Sequence, residues 1–394
     1  MISTLRRTWA EIDLDALENN YKKLKEKTGE KTKFLGVVKA DAYGHGSVQV
    51  AKKLTELGAD YLAVSSVDEA MELRENEVSL PILILGHTPK EQIHNLIDYK
   101  LTQTITCKAK ALEYQQAALE CGGILKCHIK VDTGMSRLGY LVDDEGFAGG
   151  VDGIVEACRL DHLEVEGIFT HFAMSDGDSE FAVDYTRHQF ELFQKVCAGV
   201  EAVWGRKFQI RHCANTGAVA NYPETALDMV RPGLLLYGYG KYAERLGLLP
   251  VMSLKSVVST IKVYQPGTFI SYDGTYVTDK VTRVGVLPIG YADGYHRYLS
   301  NKWSVLTEDG PAKQIGRICM DMCMIDLSDC PDVDVDSEVE IFGRQNSIDE
   351  MALLAETIPY ELTCSISKRV PRRYLSNGAV VDEELLLRMP GSLG

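Results

Sequence analysis

Eight short apolar runs, spaced by segments of helical period, fill roughly the first 235 residues and restrict the fold more than any other feature. They are FLGVVKA (34–40), YLAVSS (61–66), PILILG (81–86), TQTIT (102–106), LKCHIKVD (125–132), VEGIFTHF (165–172), FQIRHCA (208–214) and ALDMVRPG (226–233). Between them lie amphipathic stretches such as HGSVQVAKKLTELG, KEQIHNLIDYK and KAKALEYQQAALE, whose apolar residues recur three and four apart. Strands apolar on both faces and separated by helices form a parallel sheet covered all round. Eight such units in about 200 residues predict an α/β fold with a closed (β/α)8 TIM-type barrel. An open doubly wound sheet is the competing architecture, and no GxGxxG follows the first strand to support it.

After about residue 243 the pattern changes. LKSVVSTIKVYQPGTFISYDGTY, VGVLPIGYADGYHR and DVDSEVEIFG are β-rich runs broken by Gly, Asp and Pro. They predict a smaller, mostly β C-terminal domain. The expected division gives residues 9–243 to the barrel, and residues 1–8 with 244–394 to the β domain. One helix is expected from SIDEMALLAETI, with Ser347 at its cap and Glu350 three positions on, the spacing of a capping box.

The 394 residues suffice for one large domain and a smaller one. A formal charge of −14 and the lack of a long basic run speak against nucleic acid as a partner. No apolar stretch reaches the length of a membrane span. The start, MISTLRRTWAEIDLD, has two arginines but no apolar core of a secretory signal. The ten cysteines are therefore expected as reduced thiols of a cytoplasmic protein, not as disulfides. None of the Cys or His spacings suits zinc, so no metal site is expected.

In a (β/α)8 barrel the chemistry collects at the C-terminal ends of the strands. Those ends carry Lys39 and Tyr43, Lys130 and Arg137, His171, His212 with Asn215 and Thr216, and Arg231 with Gly233. Taken singly, a strand-end lysine is a solvated charge and a lone histidine a hydrogen-bonded structural residue. Here they concentrate on one rim. The loops after strands seven and eight, where barrels often bind phosphate, read CANTGA and RPGLLLYG. Asn-Thr-Gly opening a helix offers a hydroxyl and bare backbone N–H groups to an anion. A phosphate site beside a strand-one lysine suggests pyridoxal phosphate, its aldehyde on Lys39 and its phosphate in the loops.

The motifs VVKADAYGHG, KVDTGMSRLG, EGIFTHFAMSD, RHCANTGA, MVRPGLLLYG, SYDGTY, PIGYADGY and GRICMDMCMID follow in this order across nearly the whole chain. The set closely resembles bacterial alanine racemases, the fold-type III pyridoxal-phosphate enzymes. The resemblance implies that Lys39 carries the cofactor and is one of two catalytic bases. The other is Tyr272, contributed by the second subunit of a homodimer with shared active sites. Racemisation needs acid–base groups on both faces of the substrate carbon. A tyrosine of pKa about 10 is a poor base at neutral pH, so its phenolate needs support. His171 and Arg231 match the residues of that network. Arg231 also matches the arginine at the pyridine nitrogen; because a guanidinium does not readily give up a proton, the ring is a weaker electron sink and transamination is suppressed.

By the same resemblance the phosphate contacts are Tyr43, Thr216, Gly233 and Leu234. Arg137 matches an arginine near the substrate carboxylate, and Lys130 a lysine often carbamylated to hold that arginine. Met320, with Cys319 beside it, matches a carboxylate-binding backbone turn. Tyr291 matches an entrance tyrosine, and Asp321 and Arg297 match outer residues of the substrate corridor. The chain departs from the pattern at Lys368, which replaces the tyrosine that several relatives carry before RVPR, touching phosphate and narrowing the pocket. Asp273 and Gly274 stand where Gly-Ala is commoner. The function implied is interconversion of L- and D-alanine, supplying D-alanine for peptidoglycan. A serine or broad-specificity racemase is the near alternative, kept open by Lys368. A non-catalytic pyridoxal-phosphate carrier lacks the second domain, and a decarboxylase does not share the order of the motifs.

Overall fold

The computed structural model describes residues 7–385, in two compact units. One contains Tyr21–Ala42 and Ser47–Leu236; the other contains the chain up to Asn20, Tyr43–Gly46, and the chain from Tyr237 on. The strands of the described N-terminal part, in chain order, are β1 (Thr8–Asp13), β2 (Lys33–Val37), β3 (Tyr61–Val64), β4 (Ile82–Ile84), β5 (Thr102–Ile105), β6 (Leu125–Asp132), β7 (Tyr140–Leu141), β8 (Leu163–Phe169), β9 (Ile210–His212) and β10 (Met229–Val230).

In the first unit the order β10-β2-β3-β4-β5-β6-β8-β9 is parallel throughout, with β7 pairing beside β6. Single bonds bridge the two ends of this sheet. The Asp228 N–H donates to the Arg211 carbonyl at 3.1 Å, and the Arg231 N–H to the Ala214 carbonyl at 2.9 Å. The eight apolar runs are thus the staves of a nearly closed barrel, as expected. Strands β3, β4 and β5 are buried at every residue, which is why they carry no apolar–polar alternation. Helices Ser47–Glu56, Val67–Glu75, Lys108–Glu120, Phe147–Cys158 and Glu180–Trp204 cover the outside.

The second unit continues with β11 (Met252–Val257), β12 (Thr260–Tyr264), β13 (Phe269–Ile270), β14 (Tyr276–Val277), β15 (Thr282–Leu287), β16 (Ser304–Thr307), β17 (Gly310–Ile315), β18 (Cys323–Asp326), β19 (Glu338–Phe342), β20 (Arg372–Ser376) and β21 (Ala379–Glu384). Its main sheet runs β12-β15-β18-β17-β16-β19-β11-β1-β20-β21, and β13 and β14 form a separate hairpin. Strand β1 was expected with the barrel. It instead sits in this sheet, antiparallel to β11 and parallel to β20. Its TWAEID pattern buries Thr8, Trp9, Ala10 and Ile12, and partners 240 or more residues away supply its ladder. Ser347 does cap the helix Ile348–Leu354, but its hydroxyl makes no capping bond there. The expected capping box forms elsewhere, between Ser66 and Glu69.

All ten cysteines are free thiols, six of them buried. Among the described residues no helix is long and apolar enough to cross a membrane, and no group of His, Cys, Asp and Glu is arranged to hold a metal ion.

Candidate active site

Lys39 leaves the end of β2 into an unusual turn. Ala40, Asp41, Ala42 and Tyr43 all have φ between 51° and 55°, a left-handed turn made of four L-residues. Such a conformation costs about 1–2 kcal/mol per residue, so the surroundings must hold it. Glu69 does so at the start: one carboxylate oxygen accepts from the Ala40 N–H at 2.6 Å, the other from the Ser65 N–H at 2.6 Å. Asp41 accepts from the Ser47 N–H at 2.8 Å further on. In the second unit, His45 Nδ1 lies 3.0 Å from the Tyr43 carbonyl, and the Tyr43 ring packs at 5.1 and 5.2 Å from the rings of Tyr237 and Tyr360. Gly44 completes the turn, and a Cβ there would sit 2.1 Å from the Thr363 carbonyl oxygen.

Around the same barrel rim the predicted basic residues converge on His171. Burial pushes its imidazole down to about 2, with further lowering by the charges of Arg231, Lys130, Arg137 and Lys39. Arg231 is buried, donating to the carbonyls of Thr170 (2.8 Å) and Cys213 (3.2 Å) and to His212 Nδ1 (2.8 Å). Lys130 is 6% exposed and its Nζ has no hydrogen-bond partner. Desolvation, then the Arg231 and Arg137 charges, push that amine well below the ordinary lysine range. Both the Lys130 amine and the Arg231 guanidinium lie against the ring of Phe169, at 4.8 Å and 5.3 Å. Asp132 accepts four backbone N–H groups, from Gly134, Met135, Ser136 and Arg137, and so builds the turn that carries Arg137.

The loop after β9 is organised by Asn215. Its Oδ1 caps the helix Thr216–Asn221 through the Ala218 N–H at 3.1 Å and accepts from the Ser175 hydroxyl at 2.7 Å. Thr216 Oγ1 accepts from the Gly233 N–H at 3.0 Å, joining the loops that follow β9 and β10. Leu234 follows, half-buried, as the first residue of a short 3-10 turn. This rim gathers four basic groups about one neutral imidazole, beside a joined pair of loops. Its chemistry calls for an anion, and a ligand bearing phosphate and carboxylate fits it.

In the second unit Tyr272 is 66% exposed and stands between Ser271 and Asp273, both with left-handed backbone (φ 65° and 60°). The Ser271 hydroxyl donates to the Arg317 carbonyl at 2.7 Å and lies 3.5 Å from Cys319 Sγ. The Cys319–Met320 turn is fastened to the next predicted residue: Tyr291 N–H donates to the Cys319 carbonyl and Ala292 N–H to that of Met320, both at 3.0 Å. Gly290 allows this approach, since a Cβ there would come within 2.4 Å of both carbonyl oxygens. Asp273 pairs with Arg297 at 3.6 Å and Arg317 at 3.5 Å, so this departure from the commoner glycine brings an ionic tie. Asp321 binds Arg369 at 2.7 Å, and Arg369 also reaches Asp293 at 2.8 Å. Lys368, next in the chain to that bridge, is exposed.

Residues 12–241 match the family model for the alanine racemase N-terminal domain, and residues 251–374 that for the C-terminal domain. The chain belongs to the alanine racemase family. The alanine racemase of Clostridium tetani is 41% identical over 390 residues, spanning 97% of this chain and 98% of that protein. A solved alanine racemase of Clostridium difficile 630 superposes with a TM-score of 0.92 at 38% identity, covering 98% of this chain and all of that one. An alanine racemase of Bacillus anthracis, solved with bound L-Ala-P, gives 0.88 at 34% identity over 98% and 99% of the two chains. This family membership makes the chain an enzyme of the isomerase class.

Several residues that build this racemase site escaped the sequence reading. Glu69 was signalled by Ser66-x-x-Glu69 before an apolar run, a capping-box pattern. Asp132 is the one acid in a buried strand end. His128 lies in LKCHIKVD and Glu166 in LEVEGIF, and nothing local in either run says that they face each other.

Proposed function

We propose that the chain interconverts L- and D-alanine with pyridoxal 5′-phosphate, as a cytoplasmic homodimer supplying D-alanine for peptidoglycan. The convergence of Lys39, Lys130, Arg137 and Arg231 on a neutral His171 carries this reading. Lys39 would hold the cofactor aldehyde, with Tyr43, Thr216, Gly233 and Leu234 about its phosphate and Arg231 at its ring nitrogen. When bound, that cofactor acidifies the substrate Cα–H by delocalising the electron pair left behind.

The protein's own groups then divide the work. Lys39 moves a proton at one face of the substrate Cα, and Tyr272 of the partner subunit at the other. Arg231 is pushed down only to about 10 by burial, so it stays a cation at neutral pH and offers hydrogen bonds without yielding a proton. His171, held neutral, can accept or donate in the network without adding charge. Arg137 would take the substrate carboxylate, as would the backbone turn at Cys319 and Met320. Tyr291 would stand at the entrance, with Arg297 and Asp321 behind it. The orphaned amine of Lys130, its pKa pushed well down, suits carbamylation, which would place an anion near the buried Arg231 and the exposed Arg137.

Serine is the second substrate to weigh, because the exposed Lys368 leaves no aromatic ring at that position. The test is borohydride reduction of the purified holoenzyme, peptide mapping, and chiral assay of L-alanine beside L-serine. The label should fall on the Lys39 peptide, alanine should be preferred, and Lys39→Ala should abolish racemisation. A reproducible label on another lysine overturns the assignment.

A further inference from the structure

A line of buried polar groups crosses the barrel interior from the rim to the opposite face. Arg231 Nη1 lies 2.8 Å from His212 Nδ1, and His212 Nε2 lies 2.9 Å from His128 Nδ1. His128 Nε2 faces Glu166 Oε2 at 3.6 Å, just beyond hydrogen-bond range, and the Tyr61 hydroxyl donates to the same oxygen at 2.5 Å. Tyr61 opens β3 and Glu166 lies midway along β8, whereas His212 ends β9 and Arg231 follows β10. At the far end Tyr61 and Glu166 line a cavity of about 960 Å³, shared with Lys33, Pro81, Thr102 and Lys126 at or next to the starts of their strands, and with helix residues such as Arg74 and Leu96.

The direction of this chain follows from one donor. A guanidinium can only donate, so His212 Nδ1 must be bare and its hydrogen must sit on Nε2. That hydrogen obliges His128 Nδ1 to accept, which leaves the His128 hydrogen on Nε2, aimed at the carboxylate. Both tautomers are therefore set by Arg231 at one end, and at the other the His128 N–H faces the Glu166 carboxylate at 3.6 Å without closing a hydrogen bond. Both imidazoles are fully buried, and burial pushes each below the ordinary histidine range, so neither supplies charge. Among the described residues no carboxylate lies within ion-pairing distance of Arg231, and its neighbour Lys130 is a second buried amine. Glu166 is the anion to which the line leads.

We infer that Glu166 is a positioning residue for Arg231, acting through His128 and His212 as the counter-charge that the buried guanidinium lacks at first hand. The carboxylate is held down to about 2, chiefly by the His128 N–H, against the opposing effect of burial, and with help from Tyr61. It therefore stays ionised wherever the enzyme works. A charged acceptor at the end makes His128, and in turn His212, a stronger acceptor from the guanidinium. The guanidinium is thereby fixed in place, and less of its positive charge is presented at the rim. The inference rests on the proposed role of Arg231 toward the cofactor.

The test has one arm free of cofactor. In the apoprotein with ¹⁵N-labelled histidine, NMR should find His128 and His212 both as Nε2–H tautomers, unchanged from roughly pH 5 to 9. In the holoenzyme, kcat should fall in the order Glu166, Glu166→Asp, Glu166→Gln. The glutamine variant should lose on the order of tenfold, the scale of one charge-assisted hydrogen bond. KM should stay within about twofold, and the bound cofactor's absorbance should shift. Tyr61→Phe keeps the carboxylate and should leave tautomers and kcat within about twofold of wild type. A His128 Nδ1–H tautomer overturns the inference even if Glu166→Gln fails to fold. So does a folded Glu166→Gln with wild-type kcat and spectrum. Failure of Lys39 trapping would strike the functional reading instead, and the apoprotein tautomers tell the two apart.

Discussion

The barrel rim and the Tyr272 region of the β unit present opposite kinds of incompleteness. On the rim, Arg231 and Lys130 are 5% and 6% exposed, hemmed in by the barrel's own carbonyls and rings, and what the site wants is an anion. Around Tyr272, the backbone is fully tied by the Ser271, Tyr291 and Ala292 bonds, while the side chains are left in solvent: Phe269 is 71% exposed, Tyr272 66% and Met320 53%. What this region wants is cover. A charge deficit is met by a small ligand, and an apolar deficit by a protein surface. The contrast gives a physical reason for the proposed dimer.

The largest effect should come from separating the two proposed bases. Lys39→Ala and Tyr272→Ala are each expected to lose nearly all racemisation. Refolded or co-expressed together, they should regain about a quarter of wild-type activity. Random pairing makes about half the dimers mixed, and each mixed dimer owns one intact site. If both residues served the site of one subunit, mixing would restore nothing, and the contrast between the two regions would lose its functional meaning.

A smaller effect is expected from Phe269→Asp. The ring is mostly in solvent within one chain, so the unfolding free energy of the isolated subunit should change by no more than about 0.5 kcal/mol. If the face around it is covered by a second copy, burying a carboxylate there should weaken association by about 2 kcal/mol or more. Sedimentation across a dilution series reads this directly. An unchanged association constant would mean that the apolar face is covered by something else.

How far these regions could be read from sequence differs for the same reason. Strand β2 and its fellows were legible because a strand buried on both faces is mostly apolar, as FLGV, YLAV and ILI are. Strand β1 was not, because its ladder depends on β11 and β20, which are distant in the chain. The left-handed turn at 40–43 was invisible because Ala, Asp and Tyr carry no local preference for that conformation. Glu69 and Gly44 impose it from outside. The cationic rim was legible because strand ends have fixed positions in a barrel. The line from Arg231 to Glu166 was not, since its members come from four different strands or strand ends, and only the closure of the barrel makes them neighbours.

The smallest expected effect tests how the two halves set substrate choice. Lys368 is exposed and sits beside Arg369, whose guanidinium already bridges Asp293 and Asp321. Lys368→Tyr therefore need not disturb that bridge, and its cost in stability should be small. A ring at this position adds bulk and removes a charge, whereas the cationic rim is untouched. Alanine turnover should then change little, while serine, longer by a hydroxyl, should be disfavoured by about 1–3 kcal/mol in kcat/KM. Competition between L-alanine and L-serine with chiral readout gives the ratio in one experiment. A ratio that does not move would assign discrimination to the barrel rim alone, with the β unit contributing its base and its cover but no selectivity.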